Sequence, residues 1–147
     1  MSYEEMARSH VKELVRQAFE LEHGVVDEDG DLPVPCGTAM FYASVVREGR
    51  LLRVWSRAVD GVHVDKHVLR EINDMNASLL LARAYARGDA VWVEGYLPVE
   101  VLRAHDVGAL CAEVGATADK LGSLIATVHG GQVALPDGAE HGHACED

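Results

Sequence analysis

The stretch LLLARAYARGDAVWVEGYLP, residues 79–98, constrains the fold more than any other. Two alternating runs, Leu79–Arg87 and Ala90–Leu97, flank Gly88-Asp89. Glycine first in a two-residue loop suits a type II′ hairpin. Pairing through that turn sets Arg87 against Ala90, Tyr85 against Trp92, Arg83 against Glu94 and Leu81 against Tyr96. Strand side chains alternate between faces. Those pairs therefore share one face, while Ala82, Ala84, Ala86, Val91, Val93 and Gly95 make a smooth, small-residue face behind it.

A second pair of strands precedes it, Ala39–Arg47 and Leu51–Val59, joined around Glu48-Gly49. Its pairing collects Met40, Tyr42, Ser44, Arg53, Trp55 and Arg57 on one side and Phe41, Ala43, Val45, Leu52 and Val54 on the other. Upstream, Asp29-Gly30 signals a turn, and Pro33 and Pro35 have no N–H to give a ladder. That segment is expected to be an edge strand or strand-like loop.

Helical periodicity supplies the cover. Ser2 and Glu5 form a capping box. Tyr3, Ala7, His10, Leu14, Ala18 and Leu21 follow at three- and four-residue steps, opposite Glu4, Arg8, Lys12, Arg16 and Glu20, which predicts an amphipathic helix over 3–22. Asp65 caps a shorter helix through Val68, Leu69, Ile72 and Met75 to Asn76. A long helix is expected from about Pro98 to Val128, with a break near His105-Asp106. Its stripe is Val107, Cys111, Val114, Ala118, Leu121 and Ile125, and Gly130-Gly131 stops it. Gly108, Gly115 and Gly122 flank the stripe and would let it lie close to the small-residue face. The expected fold is α+β, α-βββ-α-ββ-α, an antiparallel sheet covered on one face by the first and last helices. Residues 1–131 form one domain and 132–147 an acidic tail with no periodicity.

Composition narrows the function. A formal net charge of −11 and no visible basic face argue against nucleic acid. No apolar run approaches the ~18 residues of a membrane span. MSYEEMARSH has neither the basic nor the apolar region of a secretory signal. Cys36, Cys111 and Cys145 are scattered and odd in number, which fits a reducing compartment and hence the cytoplasm. Glu20, Glu22, Asp27, Glu28, Asp29 and Asp31 crowd into twelve residues without Lys or Arg. They form either a solvated loop or an edge that steers a basic partner.

No catalytic constellation stands out: there is no phosphate-binding glycine loop, no nucleophile elbow and no Cys-His-Asn pattern. Asp27, Asp29 and Asp31 alternate as in a calcium loop, but Gly30 is misplaced and Thr38 occupies the bidentate glutamate's position. His141, His143 and Cys145 could take a soft or borderline metal, although incidental spacing in an acidic tail explains them as well. His63 and His67 straddle the cap at Asp65. Cys36 has no identifiable base and reads as a plain buried or loop cysteine. No cofactor is expected.

Three strings carry a resemblance: LREINDMN (Leu69 to Asn76), the hairpin LLLARAYARGDAVWVEGYLP, and ATADKLGSLIATVHGG. With EDGDLPV as a first strand, they resemble the type III secretion chaperone-like and YbjN-like superfamily across roughly residues 3–131. Asn73 and Asn76 match a similar Asn-x-x-Asn before the hairpin; locally they are helix-end caps or ligand contacts. The resemblance implies a non-enzymatic, usually dimeric domain that holds peptide segments of a partner.

Tyr42, Arg53, Trp55, Arg57, Arg83, Tyr85, Trp92 and Tyr96 are the candidate partner-binding residues, since Trp, Tyr and Arg are enriched at binding hot spots. An ordinary solvated sheet would also use such pairs. The alternative is a small-molecule sensor or an enzyme with a pocket on this face. Val68, Leu69, Ile72 and Met75 are the candidate homodimer interface, because a helix this short must bury its apolar side on something. A second copy would supply an identical patch; the alternative is that the helix tucks over its own sheet.

Overall fold

The computed structural model describes residues 2–18 and 31–138. The order is α1 (Tyr3–Ala18), β1 (Leu32–Cys36), β2 (Ala39–Val46), β3 (Leu51–Val59), α2 (Lys66–Asn76), β4 (Arg83–Arg87), β5 (Ala90–Pro98), a 3-10 turn (Val99–Val101) and α3 (Ala104–His129). The α+β architecture is the expected one. All strand pairs are antiparallel, in the order β1-β2-β3-β5-β4.

The turns explain the registers. Gly88 has φ +62° while Asp89 is not left-handed, as a type II′ loop requires. Arg83↔Glu94, Tyr85↔Trp92 and Arg87↔Ala90 then pair as expected. In the other hairpin Tyr42 meets Trp55 and Ser44 meets Arg53. Ser2 and Glu5 make the capping box reciprocally, at 3.0 and 3.2 Å. Asp65 accepts the amides of His67 and Val68, both at 3.0 Å, and those bonds hold its carboxyl below the usual range.

The alternation sorts the sheet into two faces. Phe41, Ala43, Leu52, Val54, Ser56, Val91, Val93 and Gly95 are buried under the helices. α3 lies across β1, β2, β3 and β5; α1 packs on α3 and β2; α2 packs on β4 and α3. Gly122 sits where α3 touches the end of β3: a Cβ there would come 2.2 Å from the Ala58 carbonyl oxygen. Gly108 differs from its expected role, since it faces Ala18 of α1 rather than the sheet.

Further expectations need correction. Leu79–Ala82 is not strand, and Leu81 does not pair with Tyr96. The Glu113 carboxylate on α3 instead accepts the amides of Leu80, Leu81 and Ala82 at 2.9, 2.6 and 2.7 Å. Three amides turned toward one anion cannot also alternate along a ladder. The long C-terminal helix begins at Ala104, not Pro98; Pro98 ends β5 and a 3-10 turn intervenes. Cys36 is buried, as expected, and so is Cys111, a free cysteine whose thiol burial pushes up to about 12. Within the protomer, Val68 and Ile72 are buried in the core and Met75 packs against it. The middle helix thus covers its own sheet and α3, and of the four candidate interface residues Leu69 alone is well exposed.

The Asp29-Gly30 turn, the last turn of the first helix as expected from sequence, and His141, His143 and Cys145 lie outside the described residues. The first part of the segment read as a tail is attached to the domain. Asp60 and Gln132 exchange backbone hydrogen bonds at 2.9 and 2.8 Å, and Leu135 donates to the Thr38 carbonyl at 2.8 Å.

Candidate functional site

The face away from the helices is built in three rows, because directly opposed residues of antiparallel strands share a face. The first runs Pro33–Tyr42–Trp55–Glu94–Arg83, the second Ser44–Arg53–Tyr96, and the third Arg57–Trp92–Tyr85. All eight candidate partner-binding residues therefore lie on one face. None is fully buried, and Arg57, Arg83 and Tyr96 are exposed.

The aromatics touch. Tyr42 stacks on Trp55 with ring centroids 4.5 Å apart, and Trp55 meets Trp92 at 5.8 Å, tilted by 45°. Guanidiniums lie over three rings: Arg53 on Trp55 at 5.1 Å, Arg57 on Trp92 at 4.6 Å and Arg83 on Tyr85 at 5.5 Å. Trp55 donates its indole N–H to Ser44 Oγ at 3.2 Å, and Ser44 donates to Asp31 at 2.6 Å. The ring pair is therefore held in place rather than free to rotate.

At the centre is Glu94, only 2% exposed. Arg53 donates Nε and Nη2 to Oε2 at 3.0 and 2.8 Å; Arg83 donates Nε and Nη2 to Oε1, the former at 3.1 Å. The Tyr96 hydroxyl adds a longer bond at 3.4 Å. Burial pushes the Glu94 carboxyl up, but the two guanidiniums together outweigh it and hold it below the usual carboxylate range. Burial and the nearby Glu94 charge raise the Tyr85 phenol.

Beside this cluster is an open cleft of about 370 Å³, lined by Met40, Tyr42, Trp55, Arg57 and Trp92, with Asp60 and the segment Gln132–Ala134 as its wall. Arg57 and Asp60 pair with each other at 3.2 Å. Its described lining is mainly aromatic and apolar, with the Arg57–Asp60 pair as its charged part. Among the described residues there is no group of three His, Cys, Asp or Glu able to hold a metal.

Both edges of the sheet are obstructed. On β1, Pro33 and Pro35 remove two donors. On β4, the Asn76 amide both donates to and accepts from the Ala84 backbone, each at 2.8 Å, as a neighbouring strand would. Asn76 is thus a structural cap of a strand edge.

Sequence reasoning located the face but missed three parts of it: Glu94 as its centre, the Asp31–Ser44–Trp55 chain, and the Gln132–Ala134 wall. The opposition of Arg83 and Glu94 was the available signal for the first. The Gln132–Ala134 wall comes from a segment distant along the chain, whereas the Asp31–Ser44–Trp55 bonds span only 13 and 11 residues.

An antiparallel sheet with helices on one face and an open aromatic face on the other defines a two-layer α+β domain with a surface for binding. The family is specific: residues 5–137 match the model for T3SS (YopN, CesT) and YbjN peptide-binding chaperone 1, and the chain belongs to that family. The fold is also that of the Yersinia pestis type III secretion chaperone SycH, solved in complex with a stable fragment of YscM2. The TM-score is 0.59 at 15% identity, over 78% of this chain and 98% of that one. No curated protein matches the chain.

Proposed function

We propose that this chain is a non-enzymatic adaptor or chaperone-like module that holds a peptide segment of another protein on its aromatic–arginine face. One observation carries the reading: Tyr42, Trp55, Trp92, Arg53 and Arg83 are fixed by mutual contacts on a face that none of the described helices covers. Side chains ordered before binding lose less entropy when a partner arrives. SycH, a distant fold relative, was solved with a fragment of another protein. The working unit is the domain of residues 1–131, with the following residues laid against it. The test is affinity capture with wild type and a Trp55→Ala, Trp92→Ala double variant from the native host. A prey recovered by the wild type and lost by a folded variant supports the site. Equal recovery by both overturns it.

A homodimer and a cytoplasmic location are part of the same proposal. With Val68 and Ile72 buried inside the protomer, a second copy docking on α2 would meet Leu69 first. Ile72→Asp would damage the monomer itself, so Leu69→Asp is the informative variant. A wild type that sediments as a monomer at tens of micromolar overturns the dimer. The cytoplasmic location is tested by fractionating the native host: recovery of the chain in the cytoplasmic fraction supports it, and recovery outside the cytoplasm overturns it.

A further inference from the structure

The Arg53–Glu94–Arg83 cluster has more cation than anion, and this is the property that selects a ligand. We infer that the peptide held on this face places an acidic side chain, aspartate or glutamate, on Arg53 and Arg83, with a large apolar neighbour in the Trp55–Trp92 cleft. The inference rests on the peptide-holding role proposed above and supplies its specificity.

Two guanidiniums share one carboxylate, which leaves a surplus of one positive charge at the centre of the face. Each arginine meets Glu94 side-on, through Nε and Nη2. Beyond Glu94, the Tyr85 hydroxyl also lies within reach of Arg53, and no other hydrogen bond to either guanidinium is present among the described residues. Glu94 pins the shared side of both guanidiniums, so their free donors are oriented before a ligand arrives. Arg53 has a side-chain exposure of 27% and Arg83 of 68%, so both remain reachable. A carboxylate bridging them would complete an alternating set of two cations and two anions, each bond charge-assisted. Of the other charges on the face, Arg87 at the turn end of β4 makes no ion pair among the described residues. Arg57 pairs with Asp60, and Asp31 accepts from Ser44 at the β1 side of the sheet.

The apolar requirement comes from adjacency. Trp55 stands directly opposite Glu94, and Trp92 directly opposite Arg57 and Tyr85. The cleft they line is therefore one residue step from the arginine pair, so neighbouring ligand side chains reach both. The obstructed edges at Pro33, Pro35 and Asn76 favour a segment lying across the face over one added as a sixth strand.

The chain's overall charge of −11 points the other way, toward a basic partner. Local donors prevail at contact because screening confines the long-range field to about 8–10 Å at physiological salt. A lysine or arginine of the ligand would have to approach two guanidiniums with a single, already occupied carboxylate between them.

The test is selection from a phage-displayed library of random twelve-residue peptides on the full chain, run in parallel on Trp55→Ala/Trp92→Ala and on Arg83→Gln. Arg83 is the more exposed arginine, so its replacement leaves Glu94 bonded to Arg53 and the fold intact. The expected result is enrichment by the wild type of Asp or Glu beside Phe, Leu or Trp. A synthesised peptide of that pattern should bind Arg83→Gln at least about tenfold more weakly, the loss of one charge-assisted hydrogen bond. Its affinity for the wild type should fall as salt rises. Peptides selected by the wild type without acidic residues, or indifferent to Arg83→Gln, overturn the inference while leaving peptide binding in place. Failure of the wild type to select anything over the double tryptophan variant overturns both.

Discussion

The two faces of the sheet use the same alternating strands toward opposite ends. The covered face is small and aliphatic, and its contacts are so close that Gly122 has no room for a Cβ. The open face is large, aromatic and charged, with nearly every group tied to a neighbour on the same face. Burial under α3 provides the stability, and the open face adds polar and π contacts that organise it without sealing it. A substitution behind the sheet should therefore cost stability, and one in front should cost recognition.

The strongest way to break this contrast is to fill the closest contact. Gly122→Val places a branched side chain against the Ala58 backbone, which cannot retreat as a side-chain tip would. We expect a loss of about 4 kcal/mol or more, read by urea unfolding; a loss below about 1 kcal/mol would mean that α3 can lift from the sheet. Leu121→Ala, which removes a fully buried side chain next to it, should cost about 2–5 kcal/mol.

Glu94 is the exception on the open face, because it is a buried charge. Glu94→Gln leaves two guanidiniums with a neutral acceptor. Breaking a buried pair costs about 3–5 kcal/mol, to be discounted here because both arginines reach solvent, so we expect about 1–3 kcal/mol. The pH dependence sharpens the point. The folded Glu94 carboxyl titrates below its ordinary value of 4.5. Its stabilisation is thus fully present above that value and is lost as pH falls through the folded value. The gap in Tm between wild type and Glu94→Gln should be constant from pH 6 to 8 and close in acid. A gap that widens in acid would contradict the assigned direction.

Asn76→Ala should cost about 1–2 kcal/mol for two lost hydrogen bonds. It should also expose the β4 edge, seen as faster amide exchange at Ala84 and as increased self-association. The smallest effect on stability is expected for Trp92→Ala, about 1 kcal/mol for a half-buried ring on an open face. A fall as large as that of Leu121→Ala would show that the front of the sheet is core, not site.

How much could be read in advance follows from distance along the chain. The hairpin registers, the capping box, the Asp65 cap and the sorting of aromatic and arginine residues to one face within each hairpin follow from alternation and turn chemistry within about twenty residues. The centrality of Glu94 did not, because it needs β5 to lie between β3 and β4. Local pattern pairs Glu94 with Arg83; only the non-sequential strand order brings Arg53 to the same carboxylate.

By itself, then, the sequence determined the α+β element order, the two-faced strands and the site's residue types, since periodicity and turn preferences act locally. Tertiary structure alone decided three things. Glu113, more than thirty residues downstream, pulled Leu80–Ala82 out of the strand. Val68 and Ile72 of α2 went into the protomer's own core. Gln132–Ala134, with no periodicity of their own, became a wall of the cleft. In each case the deciding partner is remote in sequence. A buried amide, an apolar patch or an open backbone group takes whatever partner the packed fold brings within reach, and one-dimensional pattern holds no record of that choice.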